Sequence, residues 1–449
     1  MNATKIGQND PGRSFCPKHK CLKGVLGIYF GYRGDNQSHY SIAILDWQPK
    51  ILAVDEIVDR STGRCNMIYL DNAATTKPFK DVLEQMVQYY EEYYGNPSAL
   101  HAYGHVCEKA LDGFRKELAA FIGGNPEEVF FTSGGTESNV LSIKGLLDNL
   151  PSNSEKIIVT TRVEHSSVIH TVEHMTKKGF NVIYIDTDHY GKIILDDLES
   201  KLTNQVSLCV FSHVNSETGA IQPIEKISKL VKSFNRNIKI HIDCVQSFGK
   251  LNLDVRRIKA DTLSFSGHKI HGPKGIGILY KRKNVRISPL FYGGNQENSL
   301  RPGTENLPAV AGLMKAVEFF QKNQNEAWHR AERLRERFKK ELEKLDGIRF
   351  NFDSKSSPYI MSISIKDVKG EVLVHFMEQE EIYLSTGSAC SSKLSSRHKV
   401  ISHVVKDPSY VDGTVRISFG ILNGEEEIEI AAKKMKEYVK EIRRVIRGK

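Results

Sequence analysis

From residue 68 to about 320 the chain alternates short apolar, β-branched runs with longer stretches in which apolar residues recur at helical spacing. That alternation predicts a mostly parallel sheet covered by helices, because parallel strands need long crossovers and helices supply them. Strands are expected at 129–131, 157–159, 182–185, 208–211, 238–241 and 262–265, with helices such as 136–149 and 224–234 between them. A long charged helical pattern over 308–345 then leads to strands near 348–365, 382–385 and 414–419 and helices near 370–379 and 424–447. Strand and helix no longer alternate strictly there, which suggests a smaller α+β module packed on the first. Residues 1–66 follow neither pattern; they begin polar and Gly-rich, with strand candidates at 25–30 and 40–45. The chain thus divides into an N-terminal extension of unknown role (1–67), a large α/β domain (68–320) and a smaller domain (321–449). Met67 stands directly before the first residues of the main fold, so a spurious upstream start is a second reading of the extension.

Composition narrows the class. The 449 residues are 40% hydrophobic and 26% charged, the balance of a globular chain, and exceed what one compact core holds. No apolar run reaches the ~20 residues of a membrane span, and the N-terminus lacks the apolar stretch of a signal peptide, so a cytoplasmic location without membrane attachment is expected. Seven cysteines, odd in number and mostly scattered, argue for reduced thiols rather than a disulfide framework, leaving one available as a nucleophile. The net charge is +9, partly concentrated in 433–449. A solvated helix face accounts for that run more simply than a surface for RNA or an acidic protein, and no direct nucleic-acid contact is expected.

Lys269 follows a strand within Ser264-Phe265-Ser266-Gly267-His268-Lys269-Ile270-His271-Gly272-Pro273. The carboxyl end of a strand is where open α/β sheets bind ligands, and a lysine desolvated there loses its proton readily enough to form Schiff bases. Taken alone, the same stretch reads as an ordinary loop lysine. Thr132-Ser133-Gly134-Gly135-Thr136-Glu137-Ser138-Asn139 runs from a strand through a glycine turn into a helix. The amides of Gly135 and Thr136, the Thr136 hydroxyl and the helix dipole make an anion site suited to a phosphate, although a plain capped helix start looks alike. In His241-Ile242-Asp243-Cys244-Val245-Gln246, Asp243 is either a helix cap or a carboxylate that keeps a pyridine nitrogen protonated. The order of the three segments favours the second.

Further motifs stand in the same order: Tyr69-Leu70-Asp71-Asn72-Ala73-Ala74-Thr75-Thr76, Gly95-Asn96-Pro97-Ser98, His213-Val214-Asn215, Arg301-Pro302-Gly303-Thr304-Glu305-Asn306, Ser385-Thr386-Gly387-Ser388-Ala389-Cys390 and Arg416-Ile417-Ser418-Phe419-Gly420. With the three segments above, the chain resembles the cysteine desulfurases of the NifS/IscS type, within the class V aminotransferases of pyridoxal-phosphate fold type I. The resemblance covers nearly all of 68–449. It implies an α/β large domain that binds pyridoxal 5′-phosphate and a small domain carrying a catalytic-cysteine loop, to which the first residues of the core also belong. Lys269 resembles the Schiff-base lysine, and Gly135, Thr136, Ser266 and His268 resemble the phosphate cradle. Asp243 matches the partner of the ring nitrogen, Gln246 and Asn215 the neighbours of the ring hydroxyl, and His165 the imidazole that stacks on the ring and relays a proton. Thr304 matches a phosphate contact supplied by the neighbouring subunit, which implies a homodimer. Arg416, with Asn215 nearby, matches the clasp on the carboxylate of L-cysteine, a task for a planar bidentate fork. Cys390 matches the nucleophile that takes the sulfur as a persulfide, leaves alanine, and passes the sulfur to an iron–sulfur scaffold or another acceptor such as a tRNA-thiolating enzyme. A transient iron–sulfur ligand role for Cys390 is also implied. Without the resemblance, His165 reads as a core histidine, Arg416 as a surface ion pair, and Cys390 as an inert thiol.

The chain departs from the family after Cys390, where Ser391-Ser392-Lys393-Leu394-Ser395-Ser396-Arg397-His398-Lys399 is more basic than the usual Leu-Glu-Pro-Ser continuation. Catalysis is expected to survive and the acceptor to differ. Cys16, His19, Cys21 and the later Cys65 mix thiols and imidazole as zinc sites do, but at irregular spacing and without a matching second pair. A selenocysteine lyase is the nearest rival. A plain transaminase leaves Cys390 without a purpose, and a non-catalytic sulfur-relay protein sits poorly with intact Lys269, Asp243, His165 and Cys390.

Overall fold

The computed structural model describes residues 67–151, 156–387 and 399–446. The strand candidates at 25–30 and 40–45, the Cys16, His19, Cys21 and Cys65 set, and Cys390 lie outside these residues.

In chain order the first elements are β1 (Ile68–Tyr69), α1 (Lys80–Glu91), α2 (Ala102–Ile122), β2 (Val129–Thr132), α3 (Gly135–Asp148), β3 (Ile157–Thr161), α4 (Ser166–Thr176), β4 (Asn181–Ile185), α5 (Leu195–Lys201), β5 (Val206–Ser212), α6 (Ile224–Phe234), β6 (Lys239–Asp243), α7 (Val255–Ile258), β7 (Thr262–Ser266) and β8 (Gly277–Lys281). Seven of these strands form one sheet in the order β2-β8-β7-β6-β5-β3-β4. Five run parallel from β7 to β4, and β8 is antiparallel to both its neighbours. The reversal has a local cause: the Gly/Pro-rich link between β7 and β8 is too short for a crossover helix, so the chain folds straight back. β7 is buried at every residue. Strands covered on both faces read as unbroken apolar runs, which is why the pattern predicts them well. It does not predict α1. There Val82 faces the core while Leu83, Val87 and Tyr90 are exposed, so apolar residues on two faces blur the helical stripe.

The second half comprises α8 (Leu307–Leu342), β9 (Ile348–Phe350), β10 (Ile360–Ile365), α9 (Gly370–Glu378), β11 (Ile382–Tyr383), α10 (Lys399–Val404), α11 (Pro408–Val411), β12 (Thr414–Ser418) and α12 (Glu425–Ile446). The single stretch expected near 348–365 is broken by the polar turn at 353–358, giving β9 and β10. With β12 they form an antiparallel sheet in the order β12-β10-β9. Its core is distinct from that of the large sheet. Leu307, Val310 and Leu313 of α8 pack in the first core, and Leu334, Phe338 and Leu342 of the same helix in the second. Ile68 and Leu70 join the second core, and β1 pairs parallel with β11. No described helix is long and apolar enough to cross a membrane.

Candidate active site

Five strand exits meet at the carboxyl end of the large sheet: β2 leads to Gly134 and Gly135, β3 to His165, β5 to Ser212, β6 to Asp243, and β7 to Lys269. They frame a cavity of about 450 Å3 whose wall also includes Arg416 of β12. Gly135, Thr136, His165, Asp243, Gln246, Ser266, His268, Lys269 and Arg416 all line it; Asn215 and Thr304 do not.

One end of the cavity suits a phosphate. The first amides of α3 have no partner within the helix and point outward with the positive end of its dipole. Glycine is needed at 135, where a Cβ would stand 2.5 Å from Val245 Cγ2. The Ser266 hydroxyl is buried with no hydrogen-bond partner among the described residues. His268 Nδ1 lies 3.1 Å from Thr75 Oγ1. Burial, then the nearby Lys269, pushes its pKa down to about 3, so the ring is neutral at physiological pH. Lys274 adds a cation to the wall. Thr304 is exposed, three residues beyond Arg301, whose Nε pairs at 3.1 Å with Glu137 of α3.

Lys269 ends a short turn (Gly267–Lys269) tied to the first residues of the fold by Thr76, whose N–H and hydroxyl both donate to the His268 carbonyl, at 2.9 and 2.8 Å. Its Nζ donates to the carbonyls of Ala73 and Ala74, each at 2.7 Å. Asp243 accepts from the Val245 N–H at 2.9 Å through one oxygen and from Asn139 Nδ2 at 2.7 Å through the other, so it closes a turn and faces the cavity together. Gln246 donates to Ala73 O at 2.9 Å, and its Oε1 is buried without a partner among the described residues. Asn215 is consumed by its own turn. Its Oδ1 accepts from the amides of Glu217 and Thr218, both at 2.9 Å, and its Nδ2 donates to Val163 O at 2.7 Å.

His165 caps α4, with Nδ1 accepting from the Ser167 N–H at 3.2 Å. Burial is the main reason its pKa is lowered. Arg416 is 2% exposed, which overturns the surface ion pair as an alternative. Its Nη2 donates to Asp71 Oδ1 at 2.7 Å and its Nη1 to Ser216 O at 2.9 Å, while Nε has no partner among the described residues. Breaking such a buried pair costs about 3–5 kcal/mol. The backbone of Arg416 pairs with that of Ser385, at 2.6 and 3.2 Å, five positions before Cys390 in the chain.

Two buried titratable groups carry no motif signal. Lys250 packs its Nζ 5.1 Å from the centre of the Tyr359 ring. Burial and then Lys269 push its pKa down to about 7. Glu164 accepts from Thr161 Oγ1 and the Ser212 N–H, each at 2.7 Å, and from the Ser212 hydroxyl. Burial nevertheless raises its carboxyl from 4.5 to about 7. The folded state therefore holds this proton more tightly than the unfolded chain. The associated stability is complete below the unfolded value of 4.5 and is lost as pH rises through about 7. Over that window, urea unfolding of the parent is expected to lose roughly 3 kcal/mol more than that of Glu164→Gln, at about 1.4 kcal/mol per pH unit. Identical pH slopes would contradict it.

The sequence matches the family model for class-V aminotransferases over residues 68–430. It is 36% identical over 384 residues to cysteine desulfurase IscS of Dictyoglomus turgidum, covering 84% of this chain and 96% of that one. It is 35% identical over 379 residues to putative cysteine desulfurase IscS 1 of Bacillus subtilis, covering 84% and 99%. Among solved structures, a NifS-like protein aligns with a TM-score of 0.79 at 34% identity, covering 83% of this chain and 99% of that one. The apo structure of a cysteine desulfurase from Thermococcus onnurineus NA1 gives 0.75 at 26% identity, covering 84% and 95%.

Proposed function

The chain belongs to the class-V aminotransferase family, and from that premise we propose that it is a pyridoxal-phosphate-dependent cysteine desulfurase that converts L-cysteine to L-alanine and leaves the sulfur on Cys390. The observation that carries this reading is the meeting of Lys269, Asp243 and Arg416 in one cavity that ends at a helix N-terminus and a serine hydroxyl with no partner among the described residues.

The residues fit the cofactor. Gly135, Thr136, Ser266 and His268 would hold the phosphate, Asp243 would pair with the ring nitrogen, Gln246 would serve the ring hydroxyl, His165 would stack on the ring, and Lys269 would be the attachment point. Bound there, pyridoxal phosphate supplies an electron sink for negative charge at the substrate carbons. Arg416 holds the substrate carboxylate through the guanidinium edge that Asp71 and Ser216 leave available. The Lys269 amine takes the Cα proton and later returns one. The Cys390 thiolate attacks the substrate sulfur, an S–S bond forms, the C–S bond breaks with its electron pair left on carbon, and protonation gives alanine. The step is balanced, since one sulfur atom moves and no outside oxidant or reductant is required. Thiolate rather than thiol is the nucleophile. Asn215 acts by shaping the turn that presents Ser216 to Arg416.

The enzyme works as a homodimer, with Thr304 reaching the phosphate of the partner's site. The exposed apolar face of α1 supports this: Leu83 and Val87 are 50% and 53% exposed, Tyr90 lies on the same helix, and Thr304 is exposed. Such patches mark interfaces. A double variant, Leu83→Glu with Val87→Glu, is expected to sediment as a monomer and to lose activity, whereas a parent that sediments as a monomer would contradict the dimer. The sulfur acceptor is an iron–sulfur scaffold or another thiolating protein of the cytoplasm. Incubation with L-cysteine is expected to yield alanine and sulfur in equal amounts. A keto acid in place of alanine would favour a transaminase, and a much faster rate on selenocysteine a selenocysteine lyase.

A further inference from the structure

Asn139 of α3 is 1% exposed and joins four side chains from three other segments, α4, β6 and β7. Its Nδ2 lies 2.7 Å from Asp243 Oδ2 and 2.8 Å from Ser167 Oγ. Its Oδ1 lies 2.9 Å from His241 Nε2 and also meets the Ser264 hydroxyl.

Donor and acceptor accounting resolves this network. An ionised carboxylate only accepts, so Asp243 requires the NH2 side of Asn139 to face it, and the amide orientation is set. Ser167 Oγ then accepts the second Nδ2 hydrogen. Its single O–H is left for His165 Nδ1, 2.8 Å away, which also accepts the Ser167 N–H. With Nδ1 an acceptor twice over, the proton of the neutral His165 ring belongs on Nε2. On the other side, Oδ1 takes the His241 Nε2 hydrogen, and His241 Nδ1 accepts from Thr262 Oγ1 at 2.9 Å. Burial favours the neutral form of both rings.

We propose that Asn139 is a positioning residue that ties the charge of Asp243 to the tautomer of His165, so that this histidine presents an N–H to the cavity rather than a bare nitrogen. The tautomer stands on the hydrogen bonds alone; its use in the reaction rests on the desulfurase reading. There it makes His165 a donor and leaves Lys269 as the base at Cα.

The test is the histidine ring nitrogens of 15N-labelled apoprotein, followed by long-range 1H–15N spectra, with His165 assigned from a His165→Gln sample. His165 and His241 are both expected to carry the proton on Nε2. Asn139→Asp keeps the shape and replaces a donor with an acceptor, so the His165 preference is expected to weaken about five- to tenfold, the worth of one hydrogen bond. In the cofactor-loaded form kcat is expected to fall with KM little changed, because the reacting groups and not the Arg416 clasp are disturbed. Ser167→Ala cuts the link to His165 alone and is expected to shift the tautomer ratio the same way, which decides the matter if Asn139→Asp does not fold. A His165 proton on Nδ1 in the parent, or unchanged His165 signals in Ser167→Ala, overturns the proposal. An Nε2 proton in a protein that releases no sulfur from cysteine supports the relay and overturns only the activity.

Discussion

Replacing Lys269 with Ala is expected to lower kcat for alanine formation by roughly 10²–10⁴, the contribution of positioned proton transfer. In the proposed chemistry neither other nearby amine takes this place: Lys274, which also lines the cavity, is assigned to its phosphate end, and Lys250 is buried against Tyr359 and does not line it. The fold has little at stake. The Lys269 hydrogen bonds to Ala73 and Ala74 are worth about 1 kcal/mol net each, and both residues line the cavity. Catalytic loss should therefore far exceed any loss of stability. Unchanged circular dichroism with alanine formation at or below about 1% of the parent is the expected pair of results. Turnover above about a tenth of the parent would remove Lys269 from the chemistry.

Asp243→Asn is expected to lower kcat by about 10²–10³, the range seen when one aligned electrostatic group is removed. The change preserves shape and removes charge. It also leaves one of two donors, the Val245 N–H or Asn139 Nδ2, facing an NH2 group, at a cost of about 1–3 kcal/mol. Apoprotein affinity for pyridoxal phosphate should fall by roughly tenfold, or 1.4 kcal/mol, because the ring nitrogen loses its charged partner. Binding titrations on the apoprotein and kcat on the loaded enzyme separate the two effects. If both stay at the parent values, Asp243 serves only to close its turn.

How much of this was legible beforehand depended on where each residue finds its partner. The central strands declare themselves because burial on both faces leaves apolar runs, and Gly135 and Lys269 because strand, turn and helix start are neighbours in sequence. Arg416 was open to two readings, since its partner Asp71 is 345 positions away and only folding reveals that the pair is buried. Asn139 and Asp243 are 104 positions apart, and Glu164 meets Ser212 across 48. Polar groups joined over such distances leave no local pattern. Asn215 shows the opposite failure: its motif is plain, but the direction of its side chain, into its own turn, is decided by the amides of Glu217 and Thr218. α1 gave no clear stripe for a different reason, because its apolar residues lie both on the buried side, at Val82, and on the exposed side, at Leu83, Val87 and Tyr90.

Persulfide trapping on the loaded enzyme goes to the centre of the account. The protein is mixed with L-cysteine, alkylated, digested and analysed by mass spectrometry, with alanine counted in the same sample. One extra sulfur on the peptide containing Cys390, matched by one alanine per trapped sulfur in a single turnover, is the predicted result. Cys390→Ser should carry no extra sulfur and turn over at less than about 1% of the parent rate, as loss of a nucleophile demands. Alanine and sulfide released at the parent rate by Cys390→Ser would contradict it.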